Sequence, residues 1–440
     1  MIPAYVTRVT ERLREKGFDA YLAGGCVRDF LMGLVPHDYD IATDATPDEV
    51  LSVFSDFRSL LQGAAHGTVC VVSEGENIEI TTYRSDGKYS DKRHPDSVTF
   101  SRTPEDDMAR RDLTINAMMM DTDGNIIDIC GGREDLAKGI IRCVGDPERR
   151  FGEDALRIMR ALRFASVLGF EIEERTAQAV HGCRELLREI AVERISDELT
   201  KLLMGEQPER ILCDYPDVLS VFIPEIAPCV GFDQMSPYHS FDVWTRIAKA
   251  VQSAPRIKRV RLAMMLHDIA KPSCCTEYGG GRHFKGHDEL SAQMAAQILT
   301  RLRFDNRTLS DVTSLVRYHE IKPEKADTAW YRLLYGKLGR ELFCDLFEVA
   351  LADNLAKGTD NSRIHTVMPL RDEILAYADG GGCTRLSELA VNGADLEAAG
   401  LSGREIGKAL DYALNAAANG TPNRKDVLLD LIGRHFSCGT

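Results

Sequence analysis

Residues 21–42 constrain the fold most strongly, because they join a glycine turn to a pair of aspartates that stand one residue apart. A short apolar run leads into Gly24 and Gly25, where a backbone without side chains can approach a ligand closely. The residues that follow predict the start of a helix. Because the N-terminus of a helix suits a phosphate group, the sequence predicts a strand–turn–helix unit that binds a phosphate-bearing ligand.

The second half of this stretch predicts a metal site. Residues 37–42 have strand character, and alternate side chains of a strand point to the same face. Asp38 and Asp40 should therefore lie side by side. Two carboxylates at that spacing repel each other unless a cation lies between them, and Mg²⁺ binds carboxylate oxygens together with substrate phosphates. Each motif alone is typical of an ordinary turn or edge strand, but together they favour nucleotidyl transfer.

The motifs GGCVRD and HDYDIATDATP are similar to those of the tRNA nucleotidyltransferase and bacterial poly(A) polymerase family. The resemblance extends over nearly the whole chain. It implies an α/β nucleotidyltransferase head with a mixed sheet like that of DNA polymerase beta, followed by an all-α neck, body and tail. The expected domains are the catalytic head (1–137), a neck for nucleobase recognition (138–205), a body with an HD-like domain (206–360) and a tail for tRNA binding (361–440).

Several residues of the head are expected to bind the nucleotide. Gly25 and Arg28 lie at the predicted helix start, where a triphosphate is favoured. The segment RRDLTINAM, residues 110–118, matches the family almost letter for letter. The resemblance implies that Arg111 contacts the triphosphate and that Asp112 and Asn116 lie near the ribose. This segment also predicts a helix over a methionine-rich core.

Two β-rich runs, residues 66–72 and 77–83, predict a hairpin because a short polar segment separates them. Glu79 lies between two isoleucines in the second run. If the hairpin joins the sheet of the paired aspartates, Glu79 becomes the third carboxylate of the site. Otherwise it faces water on an edge strand, since burying an unpaired acid is costly.

Residues 152–170 predict a helix with one acid and three arginines that recur every third position, namely Asp154, Arg157, Arg160 and Arg163. Such a ridge is also typical of a surface helix with ion pairs. The resemblance to the family's E-D-x-x-R motif favours nucleotide recognition instead. It implies that Arg160 and Arg163 serve the nucleotide as well.

The chemistry of the bases explains how Asp154 and Arg157 could recognise a nucleotide. Cytosine and adenine each present an amine donor beside a ring-nitrogen acceptor. Asp154 can accept from the amine, and Arg157 can donate to the ring nitrogen. Uracil and guanine present the opposite pattern, which would leave buried groups unpaired. One protein pair can therefore select C and A without a template.

A second set of motifs resembles the HD phosphohydrolase-like domain. Its candidate metal ligands are His267, Asp268, His287, His319 and Asp353. Arg246 stands where the resemblance places the first histidine. Because a permanently charged guanidinium weakens the binding of a divalent metal, a body that holds RNA is favoured over a hydrolytic site.

Composition predicts a cytoplasmic protein but does not by itself indicate an RNA partner. No apolar run approaches the length of a membrane span, and the twelve cysteines contain no Cys-x-x-Cys pair, so free thiols are expected. The net charge of −14 argues against an RNA partner, but residues 251–350 hold 16 Lys and Arg against 12 Asp and Glu. Local charge decides phosphate binding.

The expected activity is the addition of CMP and AMP to the 3′ end of tRNA from CTP and ATP, with release of pyrophosphate and with Asp38 and Asp40 holding two Mg²⁺ ions. The expected partners are tRNA, ATP and CTP, with no membrane, and the oligomeric state stays open. A poly(A) polymerase and specialised A-adding or C-adding enzymes remain alternatives. Residues 63–69 resemble the CCA-adding form, and a loop predicted at residues 85–97 favours an enzyme that adds A. A different class is a metal-dependent HD phosphohydrolase.

Overall fold

The computed structural model describes residues 2–60, 67–87, 98–235, 240–321, 327–358 and 364–436 of the chain. The chain divides into two compact units, residues 1–227 and 228–440. The predicted division into four domains is finer than this and remains a prediction.

The first unit is built on a mixed sheet. Its strands are β1 (Tyr21–Ala23), β2 (Asp40–Thr43), β3 (Arg58–Leu60), β4 (Thr68–Ser73), β5 (Glu76–Thr82), β6 (Arg84–Asp86), β7 (Val98–Phe100), β8 (Met119–Met120), β9 (Ile126–Ile127), β10 (Ile140–Ile141) and β11 (Glu171–Ile172). Seven of them form one sheet in the order β3-β4-β5-β2-β1-β8-β9. In that sheet β2 and β5 run parallel, and every other neighbouring pair is antiparallel. The mixed sheet predicted for the head is confirmed.

Helices surround this sheet and make up the rest of the first unit. They are α1 (Ala4–Glu15), α2 (Gly25–Leu31), α3 (Pro47–Val53), α4 (Pro104–Ala109), α5 (Gly132–Lys138), α6 (Pro147–Glu153), α7 (Leu156–Leu168), α8 (Glu174–Gly182), α9 (Val192–Leu203), α10 (Pro208–Asp214) and α11 (Pro216–Leu219). From α6 onward the unit is almost entirely helical, as predicted.

The two faces of the sheet differ in the size of their side chains. Leu22 and Ile41 pack with α1 and α3 in the main core of the unit. Ala23 and Ala42 belong to a smaller cluster on the opposite face. Because strand side chains alternate, Asp40 points to the same face as Ala42. The small residues on that face leave room for a cleft.

The predicted hairpin is confirmed, and it joins the sheet as the third-carboxylate hypothesis requires. Strands β4 and β5 pair antiparallel, and β5 pairs in parallel with β2. The register places Glu79 beside Asp40. The segment that resembles the CCA-adding form spans residues 63–69, and residues 63–66 of it lie outside the described residues.

The strand predicted for residues 37–42 is wrong in its first half. The strand begins at Asp40, and Asp38 lies in a bend before it. The cause is the neighbouring strand β1, which ends at Ala23 because Gly24 turns the chain into α2. The residues before Asp40 therefore have no partner on that side. Asp38 and Asp40 do not share one strand.

Three further local predictions need correction. The segment after Arg111 forms only a single 3-10 turn, Thr114–Asn116, because its backbone bonds to Arg142 and then enters β8. Asp154 has extended backbone angles between α6 and α7, so it does not belong to the helix that carries the arginines. The predicted loop at residues 85–97 begins as strand β6, which pairs with β7, and residues 88–97 lie outside the described residues.

The second unit is helical, as predicted for the body and tail. Its helices are α12 (Val243–Ser253), α13 (Lys258–Leu266), α14 (His287–Arg301), α15 (Asn306–Tyr318), α16 (Thr328–Leu355), α17 (Ile364–Asp379), α18 (Gly393–Ala398), α19 (Arg404–Ala418) and α20 (Lys425–Phe436). A small hairpin joins β12 (Thr276–Tyr278) to β13 (Gly281–His283). None of the helices that the structure describes has the length and apolar character needed to cross a bilayer.

Candidate active site

A cleft of about 480 Å³ opens on the small-residue face of the sheet in the first unit. Six arginines and four carboxylates line it: Arg28, Arg110, Arg111, Arg157, Arg160 and Arg163 with Asp40, Glu79, Asp112 and Asp154. The cleft is therefore locally basic although the chain carries a net charge of −14. Such a surface suits an anionic ligand.

The acidic wall of the cleft is formed by two neighbouring strands. Asp40 begins β2, and Glu79 is its register partner on β5. Desolvation by the cleft walls, together with the nearby charge of Glu79, raises the pKa of Asp40 to about 6. A divalent cation between the two carboxylates would relieve this repulsion, and their oxygens are the ligands that Mg²⁺ prefers. The residues present therefore fit a divalent metal.

Asp38 lies outside this wall. Its side chain is 85% exposed, and its Oδ1 atom lies 3.0 Å from His37 Nδ1. It is not among the residues that line the cleft. Within the described residues of the first unit, no three potential ligand atoms lie within 4.8 Å of one another. The structure thus brings Asp40 and Glu79 together but not Asp38.

The glycine turn is shaped by an arginine that lies against it. Gly24 has a φ of 77°, and a Cβ atom there would stand 2.7 Å from a guanidinium nitrogen of Arg111. The same nitrogen donates to the carbonyl of Asn116 at 3.2 Å. A residue with a Cβ atom would therefore be strained by this φ and would displace the end of the Arg111 side chain.

A buried carboxylate that the sequence analysis missed holds two of the arginines. Asp107 is fully buried. It accepts two hydrogen bonds from Arg110, at 2.9 and 2.5 Å, and two from Arg111, at 3.2 and 3.0 Å. Burial acts to raise the pKa of Asp107, but the two guanidinium groups outweigh it and hold that pKa below its ordinary value. The signal in the sequence was an acid three and four residues before the arginine pair.

The residues expected near the ribose form a connected polar network. Asp112 accepts from the Arg160 Nε at 2.6 Å and from the Leu113 amide at 2.8 Å. Burial acts to raise the pKa of Asp112, yet Arg160 outweighs it and lowers that pKa to about 2. Asn116 accepts from Arg28 at 2.8 Å through its side-chain oxygen. The network holds Arg28 and Arg160 in the cleft wall.

The proposed base-reading residues reach the cleft from the junction of α6 and α7. Asp154 accepts from the amide of Leu156 at 3.0 Å, which leaves its second oxygen 3.4 Å from Arg194. Arg157 is 9% exposed. It donates to Glu153 Oε2 at 2.9 Å and to the carbonyl of Arg110 at 3.1 Å. The loss of helix at Asp154 therefore does not separate the pair, since both line one cleft.

The aromatic ring of Phe164 lies against three arginines of the cleft. The guanidinium carbons of Arg28, Arg160 and Arg163 lie 5.0, 5.6 and 3.9 Å from the centre of the Phe164 ring. Arg163 also pairs with Glu198 at 2.6 Å. Contact between a cation and an aromatic face is favourable, so Phe164 positions three positive charges at one end of the cleft.

A second cavity, of about 540 Å³, lies wholly in the second unit. Four of the predicted HD-like residues line it, namely Asp268, His287, His319 and Asp353. The fifth, His267, is fully buried and joins them in one cluster of ion pairs and ring contacts. Arg246 belongs to the same cluster. The structure therefore brings this predicted set together.

Family models match three parts of the chain. Residues 20–142 match the poly A polymerase head domain, residues 169–229 match the probable RNA and SrmB-binding site of polymerase A, and residues 238–358 match the HD domain. A crystal structure of the Bacillus stearothermophilus CCA-adding enzyme in complex with CTP is 30% identical, with a TM-score of 0.73, and the match covers 99% of this chain and 98% of that one. The chain belongs to the CCA-adding enzyme family.

Curated members of the family match at higher identity over shorter segments. The CCA-adding enzyme of Ligilactobacillus salivarius is 50% identical over 209 residues, which is 48% of this chain and 51% of that protein. That of Lactobacillus helveticus is 48% identical over 234 residues, or 53% and 58% of the two chains. The matched segments thus span about half the length of these relatives.

The CCA-adding enzyme family accounts for the architecture of both units. A Thermotoga maritima CCA-adding enzyme complexed with tRNA shares the fold at 18% identity and a TM-score of 0.59. The predicted resemblance, the α/β head and the helical regions with an HD domain are confirmed. Nucleotidyltransferases of this family need a divalent metal, and the pairing of Asp40 with Glu79 fits that requirement.

Proposed function

We propose that the protein adds CMP and AMP to the 3′ end of tRNA, building CCA from CTP and ATP and releasing pyrophosphate. One observation supports this most directly. A single cleft combines the acidic wall of Asp40 and Glu79, six arginines and the pair Asp154 and Arg157. A relative that is 30% identical and matches 99% of this chain was crystallised with CTP. Because tRNA is the proposed substrate, the cytoplasm is the proposed location.

We propose that Mg²⁺ binds at the acidic wall, held by Asp40 and Glu79, with Asp38 from the adjoining bend. When bound, the metal lowers the pKa of the RNA 3′-hydroxyl and neutralises the charge of the departing pyrophosphate. Only the ionised carboxylate of Asp40 binds a metal. Because the pKa of Asp40 is raised, the metal affinity of the site should depend on pH.

The arginines of the cleft hold the triphosphate in this proposal. Arg111 lies against the glycine turn beside Gly25, and Arg28 lies in the helix that follows. Arg160 and Arg163 add positive charge next to Phe164. Guanidinium groups bind phosphate oxygens through paired donors. Asp112 and Asn116, which accept hydrogen bonds from Arg160 and Arg28, keep their proposed place near the ribose.

Asp154 and Arg157 are the proposed readers of the base. Arg157 is fixed by Glu153 and by main-chain carbonyls, so its orientation is set before a nucleotide binds. A fixed donor beside a fixed acceptor favours cytosine and adenine over uracil and guanine, because the edge of a wrong base does not match this donor and acceptor. Because the Arg157 side chain is already ordered, less free energy is lost in ordering it when a nucleotide binds.

The test supplies the full-length protein with tRNA that lacks CCA and, separately, with tRNA that ends in CC. Each labelled nucleoside triphosphate is added with Mg²⁺, and the extended RNA ends are sequenced. We expect CCA on the first tRNA and a single A on the second. Addition of A alone, of C alone or of long A tails would overturn the proposal in favour of a specialised enzyme or a poly(A) polymerase.

A further inference from the structure

The HD-like cluster of the second unit contains an arginine at its centre. Arg246, from α12, is 3% exposed. Its two terminal nitrogens pair with Asp268 Oδ2 and with Asp353 Oδ1. His267 Nε2 lies 3.1 Å from the same two oxygens. The guanidinium group therefore lies between the two carboxylates that a metal would need as ligands.

The charges of this cluster are already balanced by the protein. Lys271, also buried, lies 2.9 Å from Asp268 Oδ2, and Lys357 lies 3.7 Å from Asp353 Oδ2. With Arg246, three cationic side chains face two carboxylates. A divalent ion needs anionic or neutral donors and would here add two more positive charges in a buried place. The residues present do not fit a divalent metal between Asp268 and Asp353.

The other potential ligand set offers no separate anion. Asp268 Oδ1 lies 3.2 Å from His287 Nε2 and 3.9 Å from His319 Nε2. Both imidazoles pair through Nδ1 with main-chain carbonyls, at 2.8 and 2.7 Å. This trio has the geometry of a ligand set. Its only carboxylate, however, is already paired through Oδ2 with Arg246 and Lys271. The Oδ1 atom, which faces the two histidines, has no hydrogen-bond partner among the described residues.

We infer that Arg246 is a built-in cation that replaces the divalent metal of the HD-like domain. The guanidinium group ties α12 to the residues around Asp268 and Asp353, a connection that a shared metal ion would otherwise provide. It also fills the position at which a metal would activate water. The cavity of the second unit is thus a structural element without hydrolytic chemistry, and it needs no metal to form.

The experiment measures metal binding and melting temperature in the full-length protein. Wild type and Arg246→His are stripped with a chelator, titrated with Zn²⁺ and Ni²⁺, and analysed for bound metal. We expect Arg246→His to bind about one equivalent more than wild type, because a neutral imidazole then joins His267 and two freed carboxylates. The added metal should raise its melting temperature by about 3 °C or more, and that of wild type by less.

Arg259→His is the matched control. Arg259 also pairs with two carboxylates, Asp345 and Glu341, but no histidine of the cluster lies among its partners. This variant should gain no metal. Any site in the first unit contributes equally to all three proteins and cancels in the comparison.

Two results would overturn the inference. The first is a folded Arg246→His protein that gains no metal. The second is a wild-type protein that binds a stoichiometric metal and loses it in His287→Ala, which would place the metal at the histidine trio beside an intact Arg246. If Arg246→His does not fold, the wild-type and His287→Ala measurements still show whether the wild-type cluster binds a metal.

Discussion

Asp40 and Asp38 lie in different electrostatic environments, although only one residue separates them. Asp40 shares the cleft wall with Glu79, whereas Asp38 faces solvent beside His37. The sequence pattern predicted both as equal partners because it assumed one strand. Their difference depends on where β1 ends, which no pattern within residues 37–42 reveals.

The pKa of Asp40 predicts how metal affinity depends on pH. A metal binds the ionised carboxylate, and a pKa of about 6 means that each pH unit below 6 reduces the ionised fraction about tenfold. Mn²⁺ affinity, measured by calorimetry between pH 5 and 8, should therefore fall about tenfold per unit below pH 6 and level off above it. An affinity that stays constant from pH 5 to 7 would contradict the assignment of Asp40 as a metal ligand.

Asp107→Asn should weaken both the nucleotide site and the fold. The neutral amide leaves Arg110 and Arg111 without their shared buried anion, and breaking such a pair costs about 3 kcal/mol of unfolding free energy. The Michaelis constant for CTP should rise about tenfold as Arg111 loses its position. Denaturant unfolding and initial-rate kinetics measure the two effects. Asp106→Asn is the control, since the partners of Asp106 among the described residues are the hydroxyl groups of Ser101 and Thr103.

Arg157→Ala should remove the choice of base while leaving RNA binding intact. The variant loses the donor for the ring nitrogen, so CMP addition should slow at least about tenfold relative to UMP addition. Competition between labelled CTP and UTP measures this ratio. Arg149→Ala serves as the control because Arg149 contacts the same Glu153 from an exposed position outside the cleft. Normal discrimination in Arg157→Ala would show that the base is read elsewhere.

At the scale of elements, local patterns predicted the β4–β5 hairpin and the helical character after α6. They failed where a contact distant in sequence overrides local preference. The segment of Thr114 is drawn out of a helix by pairing with residues near Arg142, and Asp154 is extended at a junction between two helices. The residues predicted for the nucleotidyl transfer site, apart from Asp38, nevertheless line one cleft. They were predicted from family motifs, which do not depend on helix boundaries.

The turn between β1 and α2 provides a prediction at this scale. Gly24→Ala should disturb Arg111, because the new methyl group would stand 2.7 Å from its guanidinium nitrogen. Gly33→Ala is a matched control with a similar φ of 72° and no atom within 4 Å of its Cβ position. The positive φ strains the backbone of both variants. Gly24 also has a ψ of −127°, outside the left-handed helical region, so its backbone strain is the larger. Only Gly24→Ala should also lose affinity for CTP, and equal losses in both would refute the role of close contact.

At the scale of the whole molecule, every residue that lines the candidate cleft belongs to the first unit. A fragment of residues 1–227 should therefore bind CTP with an affinity within about threefold of the full-length protein. Thermal-shift titration of both proteins with CTP measures this. A fragment that folds but does not respond to CTP would show that the second unit is needed for the cleft.

The parallel pairing of β2 with β5 has a consequence for how the protein assembles. Asp40 and Glu79 meet only after the chain has closed a long connection through α3, β3 and β4. Contacts between distant segments form slowly, and those absent from the folding transition state act on the rate of unfolding. Divalent ions should accordingly lower the unfolding rate without raising the folding rate. A metal bound at Asp40 and Glu79 would then stabilise the sheet kinetically.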